Sequence, residues 1–121
     1  MIIVADCTGH GVPGALMSML GVTLLNEQFR TSGIIEPGDI LGNLRIKIKE
    51  ILVQEGTVND QKDGMDMAIA IINPQNNELR FASANIPLFL VRMKEHYPGT
   101  ESVLNLSMEV ADYGLFRLKA D

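Results

Sequence analysis

Ile2-Ile3-Val4-Ala5-Asp6-Cys7-Thr8-Gly9-His10-Gly11-Val12-Pro13-Gly14 joins an apolar run, one carboxylate, a glycine-rich turn and the start of a long apolar segment. Met1 to Ala5 reads as a buried strand that stops at the first polar residue. Pro13 suits the first turn of a helix, where its missing N–H leaves no hydrogen bond unmade, so a helix is expected from about Gly14 to Phe29. Strand, turn and helix together set an oxygen ligand for a hard cation beside glycine-freed amides and the positive end of a helix dipole. That combination suits phosphate and a divalent metal.

Around this stretch, composition narrows the choice. With 46% hydrophobic and 21% charged residues, the 121-residue chain has the balance of one folded domain rather than a disordered segment. A net charge of -5 and a pI near 4.9 oppose a nucleic-acid role, which needs clustered Lys and Arg. Arg45, Lys47 and Lys49 alternate with Ile46 and Ile48 and read as the solvated side of a helix. Cys7 is the single cysteine, so an internal disulfide is impossible and a reducing, cytoplasmic setting is expected. The apolar stretch from Ala15 to Leu25 is broken by Ser18, Gly21 and Thr23 and is shorter than the roughly 20 residues of a membrane span. No signal-peptide pattern is visible at the N-terminus, and no membrane contact is expected of the domain.

Along the chain the pattern reads β-α-α-β-β-β. The first helix carries Leu16, Met17, Met19, Leu20, Leu24 and Leu25 on more than one face, which predicts burial between layers, with Met17 and Met19 as adaptable core filling. Thr31-Ser32-Gly33 ends it. A second, amphipathic helix is expected from Pro37 to about Glu55, with Ile40, Leu41, Leu44, Ile48, Ile51 and Leu52 inward. Thr57 to Gly64 then reads as a loop. Beyond it the period changes to two: Met67, Ile69 and Ile71 alternate with Ala68, Ala70 and Ile72. Pro74 to Asn77 reads as a hairpin turn, Leu79 to Ala84 as the returning strand and Leu88 to Arg92 as another, giving a meander of antiparallel strands. Val103-Leu104 and Leu115-Phe116 are candidate strands separated by a polar excursion through Glu109 and Asp112.

Gly9-His10-Gly11-Val12-Pro13-Gly14 satisfies G-x-G-x-x-G, so a dinucleotide-binding domain is the remote alternative. Against it, Asp6-Cys7-Thr8 separate the strand from the first glycine, and a carboxylate there repels a pyrophosphate. Glu36, at about the distance of a ribose ligand, leads into a second helix rather than a strand.

Val4 to Ala15 resembles the D-x-[ST]-G-H-G-x-x-[AG]-A signature of the SpoIIE-type branch of the PPM metal-dependent serine/threonine phosphatases. Asp63-Gly64-Met65-Asp66-Met67-Ala68 resembles that family's central strand pair. Leu79 to Arg92 is similar to its "AGH-x-P-hydrophobic" strand, with Asn85 where histidine is frequent. The three motifs cover residues 1 to 92. The resemblance implies an α+β fold, a partial α/β/β/α PPM phosphatase sandwich with two helices packed on mainly antiparallel sheet, and hydrolysis by a water activated between two Mg²⁺ or Mn²⁺ ions. It assigns metal ligation to Asp6 and to the backbone carbonyl of Cys7, and a phosphate-facing turn to Gly9, His10 and Gly11. No protein side chain is expected to act as nucleophile or general acid: Cys7 lacks a catalytic partner, and His10 is read as hydrogen-bonding neighbouring backbone. Asp63 and Asp66 are either further metal ligands or simple turn chemistry.

The family's upstream G-G-D-type hairpin and downstream T-D-G-type strand end have no counterpart in the chain. A single partial domain spanning 1–121, with little or no hydrolysis of its own, is therefore expected. The implied substrate is a phosphorylated regulatory protein of the anti-sigma-factor-antagonist kind. The alternative is a non-catalytic, phosphatase-like interaction or regulatory module. Open strand edges lead to the expectation of a homo-oligomer.

Overall fold

A computed structural model describes residues 1–31, 33, 36–52, 64–93, 95, 105–110 and 112–118. In chain order these form β1 (Ile2–Cys7), α1 (Gly11–Thr31), α2 (Pro37–Leu52), β2 (Met65–Asn73), β3 (Glu78–Ala84), β4 (Leu88–Met93), β5 (Asn105–Val110) and β6 (Tyr113–Leu118). The fold is α+β, and among the described residues it has two helices and two antiparallel three-stranded sheets ordered β1-β2-β3 and β4-β6-β5. Two compact units divide the chain, Met1–Ala84 and Asn85–Asp121.

In the first unit the period-two pattern works as the sequence predicts. Met67 and Ile69 of β2 are buried, and with Ile3 and Ile71 they meet Leu24 and Leu25 of α1 and Ile40 and Leu44 of α2. Each such side chain contributes roughly 1.5–3 kcal/mol on burial, so this cluster is the main force holding helices to sheet. At its rim Arg80 of β3 pairs with Glu36, just ahead of α2, and with Glu78 Oε1 at 2.9 Å. The Arg80 guanidinium, helped by Asn76, holds the Glu78 carboxyl below its ordinary range. Being exposed, this triad orients the entry to α2 more than it stabilises the fold. The hairpin at Pro74–Asn77 closes through local side chains: Gln75 N–H donates to Asn73 Oδ1 at 3.0 Å, and Asn77 takes a φ of 54°.

Several expectations change. The first strand does not end at Ala5, because β1 continues to pair with β2 through Asp6 and Cys7. Helix α1 begins at Gly11, earlier than the proline rule places it. It is not enclosed: Met17 is buried, yet Met19 is 67% exposed. In α2, Ile51 and Leu52 are exposed rather than inward. The meander breaks after β3, since β4 belongs to the other sheet; at the junction Asn85 has a φ of 65°, a left-handed conformation that Asn tolerates. Glu109 lies inside β5 rather than in a connecting excursion, whereas Asp112 does sit in the turn before β6. Val103 and Leu104 lie outside the described residues.

In the second unit β6 is central, and its Phe116 is fully buried. Arg117 faces Phe89 across the β4–β6 ladder, its guanidinium carbon 5.9 Å from the ring centroid, within cation–π range.

Gln28 is 3% exposed between the helices, its Nε2 donates to the Ile40 carbonyl over a long 3.4 Å, and its Oε1 has no partner among the described residues. An orphaned buried oxygen of this kind costs about 1–3 kcal/mol. Gln28→Met is therefore expected to raise stability by about 1 kcal/mol, read as a higher denaturant midpoint at unchanged slope. A lower midpoint would show that the amide holds the two helices together.

Candidate metal centre

The β1–β2 register builds the site. Asp6 is the Cα partner of Asp66, and Cys7 that of Met65. Residues directly opposite on antiparallel strands place their side chains on one face, with Cβ atoms about 4.5–5.5 Å apart. Two carboxylates so placed repel unless a cation lies between them. Alternation settles which face this is. Ile3 and Met67, each an odd number of residues from the aspartate on its own strand, point into the helix-facing core, so Asp6 and Asp66 belong to the sheet face away from the helices. Asp6 is exposed and Asp66 half-buried. The Cys7 thiol shares the helix-facing side with Ile3, which sets it across the sheet from the acidic pair and leaves only its peptide oxygen as the metal contact expected of it.

The turn after β1 is clamped to the strand that carries Asp66. Gly64 N–H donates to Thr8 Oγ1 at 2.7 Å, while the Thr8 N–H and hydroxyl donate to the Gly64 carbonyl at 3.0 and 3.1 Å. The ladder thereby continues past Cys7 and Met65. Gly9 and Gly11 then adopt φ values of 91° and 65°, which L side chains rarely enter, and His10 between them is exposed. Helix α1 begins at the second of these glycines, in the turn that follows β1. Gly14 fixes the angle of entry: a Cβ there would lie 2.7 Å from the Gly9 carbonyl oxygen.

Of the residues expected from sequence, the fold brings together Asp6, Cys7, Gly9, His10 and Gly11 as neighbours in chain and Asp66 as a neighbour across the sheet. Asp63 lies outside the described residues. No group of three or more His, Cys, Asp or Glu converges among the described residues. Sequence reasoning overlooked Thr8 as a clamp and Gly14 as a packing contact. The first was signalled by the hydroxyl position of D-x-[ST]-G-H-G; the second had no local signal, because its partner lies across a turn.

A family model described as Stage II sporulation protein E (SpoIIE) matches residues 1–119. The solved SiaA-PP2C domain of Pseudomonas aeruginosa is similar in fold, with a TM-score of 0.60 and 23% sequence identity over 98% of this chain and 45% of that one. This chain thus spans less than half of that structure's length. No curated protein matches it.

Glycine to alanine inside a helix ordinarily stabilises by about 1 kcal/mol. At Gly14 the sign is expected to reverse: Gly14→Ala should destabilise by roughly 1–3 kcal/mol, because backbone rather than a flexible side chain occupies the space. Gly42, where an added Cβ would meet nothing within 4 Å, is the control that should follow the ordinary rule in the same denaturation series.

Proposed function

We propose that this chain, which belongs to the SpoIIE family, carries the acidic pair and phosphate-facing turn of a metal-dependent phosphatase acting on phosphoserine or phosphothreonine of a regulatory protein. The observation that supports this most directly is the Asp6–Asp66 pairing beside a glycine turn at a helix start.

The donor chemistry fits the ion. Asp6 and Asp66 offer hard oxygen ligands, and Mg²⁺ and Mn²⁺ favour carboxylate, carbonyl and water oxygens, commonly through one or two carboxylates with substrate phosphate. Asp6, Asp66 and the Cys7 carbonyl are the groups that would hold it, with Asp63 a further candidate. A bound Mg²⁺ or Mn²⁺ supplies Lewis-acid charge and an acidified water. The rest falls to the chain itself. The Thr8–Gly64 clamp holds the two strands, and so the two carboxylates, at fixed separation. Gly9 and Gly11 hold positive φ values without a side chain to crowd a phosphoryl group, and the N-terminus of α1, which starts at Gly11, is the kind of helix end that favours an anion. The exposure of Asp6 leaves room for a loop of a folded protein substrate, for which an anti-sigma-factor antagonist type of phosphoprotein is the proposed example.

Without divalent ion, Asp6→Asn is expected to be neutral or to stabilise by a few tenths of a kcal/mol, because it relieves like-charge repulsion across the ladder, about 0.2–1 kcal/mol for such pairs. With Mn²⁺ at about a hundredfold over its dissociation constant, the wild-type chain should gain roughly 2.7 kcal/mol in thermal unfolding and Asp6→Asn should not. A protein extended to the length of the matched domain should hydrolyse p-nitrophenyl phosphate with Mn²⁺ and lose that activity on the same substitution. Equal Mn²⁺ stabilisation of both forms would falsify the metal assignment. Metal binding without turnover in the extended protein would instead support the non-catalytic module.

A further inference from the structure

We propose that the exposed face of the β4–β6 ladder docks a second copy of this chain, turned end over end so that Arg117 of each copy enters an acidic cavity of the other. The register sets Phe89 opposite Arg117, Val91 opposite Leu115 and Met93 opposite Tyr113. Directly opposite residues of an antiparallel ladder share a face, as do residues two apart along a strand, so these form three successive rows on one side of the sheet. The other side takes Leu90 and the fully buried Phe116. On the first side Phe89, Val91, Met93 and Tyr113 are 55%, 61%, 42% and 45% exposed. A sheet side that faces water ordinarily alternates polar residues against the apolar packed side, whereas this one is apolar but for Arg117 and the Tyr113 hydroxyl. A contiguous exposed apolar patch of this kind marks an interaction surface.

The two ends of the face differ in charge. Arg117 stands in the first row, over the Phe89 ring, and makes no ion pair among the described residues. Past the last row a cavity of about 390 Å³ is lined by Met93, Glu95, Asp112 and Tyr113. Carboxylates, an aromatic ring and a thioether are the surroundings that suit a guanidinium, which takes charge-assisted hydrogen bonds at its edge and stacks its plane on a ring.

That polarity selects the occupant. A two-fold axis lying between two such faces, and crossing the strands at the Val91–Leu115 row, reverses the strands of the second copy. The row of Phe89 and Arg117 then lies over the Met93–Tyr113 row of the other copy, and the cavity lies about one row further, roughly 6–7 Å, within reach of an arginine side chain. Symmetry makes the same contact twice. The side chains of the face offer on the order of 400–500 Å² per copy, so the pair buries about 800–1,000 Å², the size of a weak, reversible contact. An anionic lipid surface, by contrast, is bound by several Lys and Arg and would meet Glu95 and Asp112 here, within a chain of net charge -5.

The test is sedimentation velocity of the 121-residue chain from about 5 to 500 µM, a range that brackets a weak dimer. A dimer fraction rising with concentration is expected. Val91→Glu, at the centre of the face, should weaken it at least about tenfold by burying an unpaired charge. Arg117→Glu and Asp112→Arg should each weaken it about tenfold, because like charges then meet, and the double variant should recover at least about threefold of that loss. Ile72→Glu, at an exposed apolar position of β2, should leave it unchanged. Circular dichroism and a cooperative melt check that Val91→Glu is folded, and Val91→Ser is the milder variant if it is not. A monomer throughout the range overturns the proposal, as does a dimer insensitive to the Val91 variants, one lost with Ile72→Glu, or a charge exchange that recovers nothing. Pelleting of a monomer with phosphatidylcholine–phosphatidylglycerol vesicles, abolished by Val91→Glu, would assign the face to lipid and overturn it as well.

Discussion

The antiparallel register between β1 and β2 positions every group around Asp6. Strand side chains alternate with a period of two, so a slip of one residue would carry Asp6 to the helix-facing side and Ile3 into water. The cost of placing an ionised carboxylate among Leu24, Leu25 and Ile40 excludes that arrangement. The apolar cluster therefore does more than stabilise. By drawing in Ile3, Met67 and Ile69 it assigns Asp6 and Asp66 to the opposite face, and the Thr8–Gly64 hydrogen bonds lock the end of the ladder where those carboxylates lie.

Like charges facing each other across a ladder work against folding, and the same pair is what a divalent cation requires. Conflicts of this kind between local preference and fold are expected at sites of function. In the function proposed for this chain, that conflict is the mark of the metal site. In the same proposal the glycine turn extends it, since backbone at positive φ without a side chain leaves a close approach to phosphate open.

Helix α1 carries apolar side chains on two sides. Its inner side closes the core over the sheet, and its outer side is as apolar as the inner, so its overall composition resembles that of a buried helix. Its apolar residues were legible as helical, but their division between inside and outside was not. That division depends on which line of residues the sheet and α2 cover, and Met17 and Met19, two positions apart, fall on opposite sides of it. No helix among the described residues is long and apolar enough to cross a membrane.

From the chain alone came the order of strand, glycine turn and helix, the period-two strands and the hairpin at Pro74–Asn77, together with the proposal of Asp6 as a metal ligand. These are local properties, carried by side-chain periodicity and by what proline and glycine permit within a few residues. The partnership of Asp6 with Asp66, the Thr8 clamp, the fit of Gly14 against Gly9 and the placing of β3 and β4 in different sheets came only with the tertiary structure. Each depends on register or close approach between segments that one-dimensional spacing does not encode, and packing alone decides it.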